Sequence, residues 1–133
     1  MQIQRLQNFY LFLALVLAAA SMFMPWWNLG DEAIAPCADP VLLILGWLAA
    51  ALALTGICLF RNLQRQKLVC ALCGIIGFLA VGYGTGRFLL SDDPLLTIGI
   101  GFTPMALATL CAIFARNCVI KDQKLLRSAD RLR

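Results

Sequence analysis

Four long apolar stretches, separated by short polar segments, dominate the pattern of the chain. They lie at about residues 9–27, 41–60, 68–90 and 95–115. Each is close to the roughly 20 residues that an α-helix needs to cross a hydrocarbon core. Connections this short join antiparallel neighbours in helical bundles. The pattern therefore predicts an all-α, integral membrane four-helix bundle, residues 1–133 forming one domain with a tail at 116–133.

Two of these stretches allow a second interpretation. In the first, the small residues AAAS at 18–21 are also typical of a signal-peptide cleavage site, but the apolar run continues to Trp26 and Trp27. We therefore expect a spanning helix, in which the tryptophans serve as interface anchors or pack inside the bundle. In the fourth, Thr103 before Pro104 is typical of an N-cap and a first helical residue. Either this helix is kinked, or it begins near Thr103 and LLTIGIG is a separate piece.

The basic residues are distributed unevenly along the chain. Of the 11 Lys and Arg, Arg87 alone falls near the acidic connectors, and the other ten precede helix one, lie between helices two and three, or follow helix four. Four spans place those ten on one side, which is the positive-inside pattern. We therefore expect both termini to be cytoplasmic, in a multi-pass protein of the bacterial inner (cytoplasmic) membrane.

Composition narrows the possible chemistry. Apolar residues make up 62% of the chain and charged residues 14%, where soluble domains carry about 25%. There are no histidines, so the commonest general base and metal ligand is missing. Helices one, two and four have no charged residue in their middles, unlike small proton-coupled multidrug transporters. We find no nucleophile–base pair, phosphate loop or heme ligand set, and we expect no cofactor and no nucleic-acid partner.

The cysteines form one motif, the CxxC of Cys70 and Cys73, which are weak candidates for a metal or redox site. The pair lies at the cytoplasmic start of helix three, where thiols stay reduced. Disulfide-generating membrane enzymes need such a pair at the outward face, where this chain has only Cys37. We therefore interpret the thiols as small packing residues, with a thiol-based membrane enzyme as a remote alternative.

Arg87 is a membrane-site candidate, because a charge near a span is a functional candidate by default. It follows GYGTG near the outward end of helix three. The side chain is close enough to the interface to extend toward water, and we expect it to pair with Asp92 or Asp93.

Both ends of the chain carry mixed polar and apolar patterns. In the tail, Leu125, Leu126 and Leu132 fall near one face of a helix that also carries Lys and Arg, as in a helix that lies on anionic lipid or docks to a partner. The segments IQRLQNFY, FRNLQRQKLVCAL, the TP before helix four and IKDQKLLRSADRLR resemble the domain-of-unknown-function 4293 family, small four-span inner-membrane proteins of Bacteroidota. Gln123 stands where the family tail has an acidic residue. The resemblance implies an inner-membrane location and supplies no activity.

The function we expect is a non-enzymatic scaffold or assembly subunit that acts through its cytoplasmic face, in contact with the lipid bilayer and with a membrane or cytoplasmic protein or a second copy of itself. The alternative is a small transporter or lipid-handling protein that uses Arg87 and the broken start of helix four. The candidate partner-binding residues lie in the three cytoplasmic segments: Gln4, Arg5, Gln7, Arg61, Arg65, Lys67, Lys121, Asp122, Arg127, Ser128, Asp130 and Arg131.

The predicted topology can be tested with a reporter enzyme that is active only outside the cytoplasm. Fusions after Asp39 or Asp93 should be active, because the acidic connectors face outward. Fusions after Arg65 or Arg133 should be inactive. Activity after Arg133 would contradict the four-span topology.

Overall fold

The computed structural model describes residues 2–34, 39–59 and 61–132. This part of the chain contains four helices, α1 (Gln2–Phe23), α2 (Pro40–Cys58), α3 (Leu63–Leu89) and α4 (Phe102–Arg131). All four are long and apolar enough to cross a membrane. Helix α1 packs against α2 and α4, and α3 packs against the same two helices, so the bundle is closed. The predicted all-α membrane bundle is confirmed.

Small side chains line the middle of this bundle. Thr109 is an exception, but most buried positions there are alanine, glycine or cysteine: Ala14, Ala18, Ala49, Ala53, Cys73, Gly77, Ala108 and Ala112. In a membrane the lipid tails are as apolar as the helices, so association depends on close van der Waals packing, and small residues let the backbones approach.

A small antiparallel sheet, which the sequence pattern did not predict, closes one end of the bundle. Its strands are β1 (Trp27–Leu29), β2 (Glu32–Ile34) and β3 (Leu96–Ile98), in the order β2-β1-β3. We call this the sheet end. The opposite end, where α1 begins and α4 ends, is the terminal end.

The β1–β2 hairpin has a turn of two residues, Gly30 and Asp31, because Leu29 pairs with Glu32. Gly30 has φ +62°, whereas Asp31 is not among the residues of positive φ. Glycine at the first central position is what a type II′ turn requires, and this turn type matches the twist of the two strands. The Gly30-Asp31 pair between the segments Trp27–Leu29 and Glu32–Ile34 was therefore the signal in the sequence for this hairpin.

The fourth apolar stretch is divided, as the second of its two interpretations expects. Leu96–Ile98 is a separate strand, and helix α4 begins at Phe102. The expected N-cap at Thr103 is wrong, because Gly101 holds the cap position without a side-chain hydrogen bond. The chain is fixed there by its backbone instead. The Gly99 amide donates to Trp26 O at 2.7 Å, and the Gly101 amide donates to Pro25 O at 2.9 Å.

Trp26 and Trp27 pack inside the bundle at the sheet end. The indole N–H of Trp26 donates to Ser21 O at 3.0 Å, and that of Trp27 donates to Gly84 O at 3.3 Å. The Trp26 ring also lies 4.6 Å from the Phe102 ring, centroid to centroid. Trp47, by contrast, is exposed on the outside of α2.

Replacing Gly99 with alanine should destabilise the protein by about 1–3 kcal/mol, the usual cost of overpacking. A Cβ at this position would collide with the backbone carbonyl of Pro25, which cannot move aside as a flexible side chain can. Gly82→Ala is the matched control, because a Cβ there meets nothing within 4 Å. Reversible unfolding in mixed micelles measures both, and equal stability of the two variants would contradict this account.

Candidate functional site

Three amide side chains, two of them buried and that of Asn8 half-buried, meet at the terminal end of the bundle. We call them the amide cluster: Gln7, Asn8 and Gln66. The Gln7 side-chain amide donates to Gln66 Oε1 at 3.2 Å. That of Gln66 donates to Gly56 O at 3.1 Å and to Asn8 Oδ1 at 3.4 Å. Gln7 and Gln66 are both 0% exposed.

The cluster lies on the same helix faces that bury apolar residues further along. On α1, Gln7 precedes the buried Leu11 by one turn, and on α3 Gln66 precedes the buried Cys70 by one turn. Gly56 belongs to the last turn of α2, where a helix leaves carbonyl groups without intrahelical donors. Gln66 therefore joins α1, the end of α2 and α3 at one point.

Two buried acceptor atoms near this end have no hydrogen-bond partner among the described residues, Gln7 Oε1 and Asp122 Oδ2. Asp122 is 8% exposed and follows the fully buried Val119 by three residues on α4. Because α1 and α4 pack against each other, Asp122 faces the bundle near the start of α1. Buried polar groups are normally hydrogen-bonded, so these two are exceptions within the fold.

Helix α4 continues beyond the bundle at this end. Its 30 residues span about 45 Å, whereas a hydrocarbon core is about 30 Å thick. The last part carries exposed leucines, with 54% of Leu125, 51% of Leu126 and 90% of Leu132 accessible to solvent. The tail is thus an ordered helix whose apolar side chains have little cover.

The predicted partner-binding residues divide by burial. Gln7 and Asp122 are buried, so neither lies on a surface, and Lys67 is half-buried. Gln4 lies in α1, but its side chain is outside the described part of the structure. The exposed candidates are Arg5, Arg61, Arg65, Lys121, Arg127, Ser128, Asp130 and Arg131. Ser128 donates its hydroxyl to Leu125 O at 2.8 Å, within its own helix.

The two cysteines of the CxxC are both buried in α3 but belong to different packing clusters. Cys70 packs with Leu11 and Ala115, and Cys73 packs with Ala53 and Ala112. The described residues contain no group of three or more His, Cys, Asp or Glu side chains placed to hold a metal ion. Cys37 lies outside the described residues.

At the sheet end, Arg87 and Tyr83 of α3 meet Asp39, the N-cap of α2. Arg87 Nε lies 3.6 Å from Asp39 Oδ2, and the Tyr83 hydroxyl donates to the same oxygen at 3.1 Å. The expected pairing of Arg87 with Asp92 or Asp93 is therefore wrong. Asp93 instead accepts a hydrogen bond from the Leu95 amide within its own turn, while α2 packs beside α3 and brings Asp39 to the arginine.

A cavity of about 620 Å³ lies next to this ion pair, lined by Asp39, Tyr83 and Arg87 and by apolar residues such as Trp27 and Leu96. Its size is in the range of small-molecule sites. Gly101, in the broken start of helix four, does not line it.

Comparison with protein families gives one match, which covers residues 3–132. The chain belongs to the family described as a domain of unknown function (DUF4293). No curated protein and no solved structure matches it. The match includes all three segments that form the terminal end, so the amide cluster and the tail helix both lie within the DUF4293 domain.

Sequence reasoning named Gln7 but missed its partner Gln66, and with it the Asn8 and Gly56 oxygens to which Gln66 donates. Gln66 follows Gln7 by 59 residues, and no local pattern links them. One signal was available: both amides occupy positions that continue the buried stripe of their helices. When the bundle closes, amides at such positions must form hydrogen bonds with one another or remain buried without partners.

Replacing Gln66 with leucine should lower the free energy of unfolding by about 1–3 kcal/mol, because it leaves Gly56 O and the Gln7 amide without partners. Gln7→Leu should cost less in the Gln66→Leu background than in the native chain, since their mutual hydrogen bond is already lost. Gln64→Leu is the control, because Gln64 is exposed. Unfolding of all four variants in mixed micelles gives the coupling. Additive effects would contradict the direct pairing.

Proposed function

We propose that this protein is a non-enzymatic, multi-pass protein of the bacterial inner membrane, with both termini cytoplasmic, and that it assembles with a protein partner through its cytoplasmic face. The observation that supports this proposal is the tail of α4. It leaves the bundle as a continuous helix, with Leu125 and Leu132 exposed. Exposed apolar side chains on an ordered element are typical of an interaction surface.

The direction of α4 favours a protein partner over the lipid surface. A helix that lies on a membrane has its axis in the plane of the interface. Helix α4 runs unbroken from Phe102 through the spanning region to Arg131, so its tail keeps the direction of the span. Leu132, at the far end of the tail, is then held away from the bilayer. The apolar surface of a protein partner is the remaining way to bury it there.

The amide cluster gives this face a fixed base. It joins α1, α2 and α3 at the terminal end, and its buried hydrogen bonds hold these helices in one arrangement. A docking face needs such rigidity, because ordering flexible segments on binding reduces affinity.

Lipid handling or transport at Arg87 is the second candidate, and the 620 Å³ cavity at the sheet end favours it. A passage through the bundle is not supported by the packing. The cavity among the small residues of the middle, including Ala18, Ala49 and Gly77, measures about 10 Å³, which is too small for a chain of water molecules. The sheet-end cavity therefore suits binding from one side better than passage across.

The partner proposal predicts that Leu125→Ser with Leu132→Ser abolishes the native complex of this chain, seen as a higher-mass band on native gels of membranes in mild detergent. The change removes apolar docking area and keeps the net charge, so the topology signal and the electrostatic attraction to anionic lipid stay as they were. Leu89→Ser with Leu90→Ser is the matched control, since both leucines are exposed at the sheet end.

A second variant tests directional contacts at constant net charge: Arg127→Gln, Ser128→Ala and Asp130→Asn together. Docking through particular side chains predicts a weaker complex. If this variant and the double leucine variant both behave as the native chain, the tail is an anchor and topology signal, and the proposal fails. A band at twice the mass of the chain would identify the partner as a second copy.

A further inference from the structure

Two grooves follow one another along the outer seam between α3 and α4. The first, at the terminal end, has a volume of about 300 Å³ and is lined mainly by polar residues, with Lys67 on α3 and Arg127 on α4. The second has a volume of about 420 Å³ and runs from Cys70 to Leu79 on α3, facing Thr109 and Arg116 on α4. We call them the polar groove and the apolar groove.

Helix geometry places the two grooves in line with one another. On α3, Lys67 lines the polar groove, and Ala71, Gly74 and Phe78 line the apolar groove at steps of four, three and four residues. Residues at such spacings share one helix face. On α4, Arg116 and Gln123, two turns apart, line the two grooves in the same way. The grooves are therefore parts of a single seam.

The seam changes polarity at Arg116. On the sheet side of this arginine the lining is apolar apart from Thr109, whose hydroxyl donates to Met105 O at 2.9 Å within α4. From Cys70 to Leu79 the groove is about 14 Å long, close to the depth of one leaflet of a roughly 30 Å hydrocarbon core. The seam is thus polar at one end and apolar over the depth of one leaflet, as a single lipid molecule is.

No acidic side chain of the described residues forms an ion pair with a cation of the seam. Among residues 2–34, 39–59 and 61–132 the ion pair is that of Arg87 with Asp39, at the other end of the bundle. No described acidic residue lines either groove. Arg116 is exposed and directly follows the apolar stretch at 95–115, and a charge next to the hydrocarbon core needs a counter-ion or a path to water.

Gly74 keeps the apolar groove open. A Cβ built at this position meets Ile113 Cγ1 at 3.6 Å, which is ordinary contact, so a larger side chain fits and would occupy the groove.

We propose that the α3–α4 seam binds one anionic phospholipid of the leaflet at the terminal end, which is the cytoplasmic leaflet in the proposed topology. An acyl chain occupies the apolar groove against Gly74 and Phe78. The phosphate lies among Arg116, Lys67 and Arg127. Basic pockets between spanning helices on the cytoplasmic side are a known form of anionic headgroup site.

A second copy of the chain fits this seam less well. A symmetric dimer places the same patch of both subunits together, and in a membrane the two terminal ends would lie side by side. Arg116, Lys67 and Arg127 would then face their own counterparts, and like charges in contact oppose association. A lipid phosphate instead supplies the missing negative charge.

The test uses the purified full-length chain, freed of lipid in mild detergent, and measures lipid dissociation constants by native mass spectrometry. Phosphatidylglycerol should bind one molecule per chain, and phosphatidylcholine should bind more weakly, because it carries no net negative charge. Arg116→Gln and Lys67→Gln should each weaken phosphatidylglycerol binding by about fivefold. Arg131→Gln and Lys121→Gln are the matched controls with the same change of charge, since neither residue lines the seam.

Gly74→Leu tests whether an acyl chain occupies the apolar groove. This change should weaken the binding of both lipids by about tenfold or more. Gly82→Leu adds the same side chain to α3 in open space and should have no effect. Circular dichroism checks that the variants fold. If Gly74→Leu does not fold, the binding constants of Arg116→Gln and Lys67→Gln test the proposal.

Three outcomes would overturn the proposal. If the matched controls weaken phosphatidylglycerol binding equally, the net charge of the protein causes the effect and the seam does not. Full competition by millimolar inorganic phosphate would mean a site for a soluble anion. A change of oligomeric state in Gly74→Leu, with lipid binding intact, would assign the seam to a second copy.

Discussion

The close approach of four helices on alanine, glycine and cysteine is the constraint on which the rest of this structure depends. Lipid provides no hydrophobic drive for helices to associate, so contact between backbones has to supply the attraction. The core around Ala14, Ala49 and Ala112 consists of small side chains for this reason. The large buried side chains Trp26 and Gln66 lie instead toward the two ends of the bundle.

The two ends use different chemistry for the same task of fixing the helices. At the sheet end, large aromatic rings fill the space, with Trp26 packed on Phe102. Backbone hydrogen bonds there join Gly99 and Gly101 to the segment between α1 and β1. At the terminal end, Gln66 uses its side-chain amide to satisfy the last turn of α2 and to hold Gln7. Aromatic packing fills the sheet end, whereas the amide cluster leaves Gln7 Oε1 buried without a hydrogen-bond partner among the described residues.

The helices were predictable because each carries its signal locally, in about 20 successive apolar residues. The sheet was not, since strands of three residues such as Glu32–Ile34 are too short to show periodicity, and the Gly30-Asp31 turn was its main trace. The pairing of Arg87 with Asp39 depends on how α2 and α3 pack, which local charge patterns do not contain. The same holds for Gln7 and Gln66, whose partners become evident only when the bundle closes.

The unbroken course of α4 has a mechanical consequence. A helix without a hinge between Phe102 and Arg131 acts as a stiff rod, so rotation of the tail about its axis is transmitted to the residues that precede the helix. Gly99 and Gly101 bind the backbone at Pro25 and Trp26, which ties that rod to the sheet. Anything that fixes the angle of the tail therefore also fixes the angle of the sheet on the other face of the membrane.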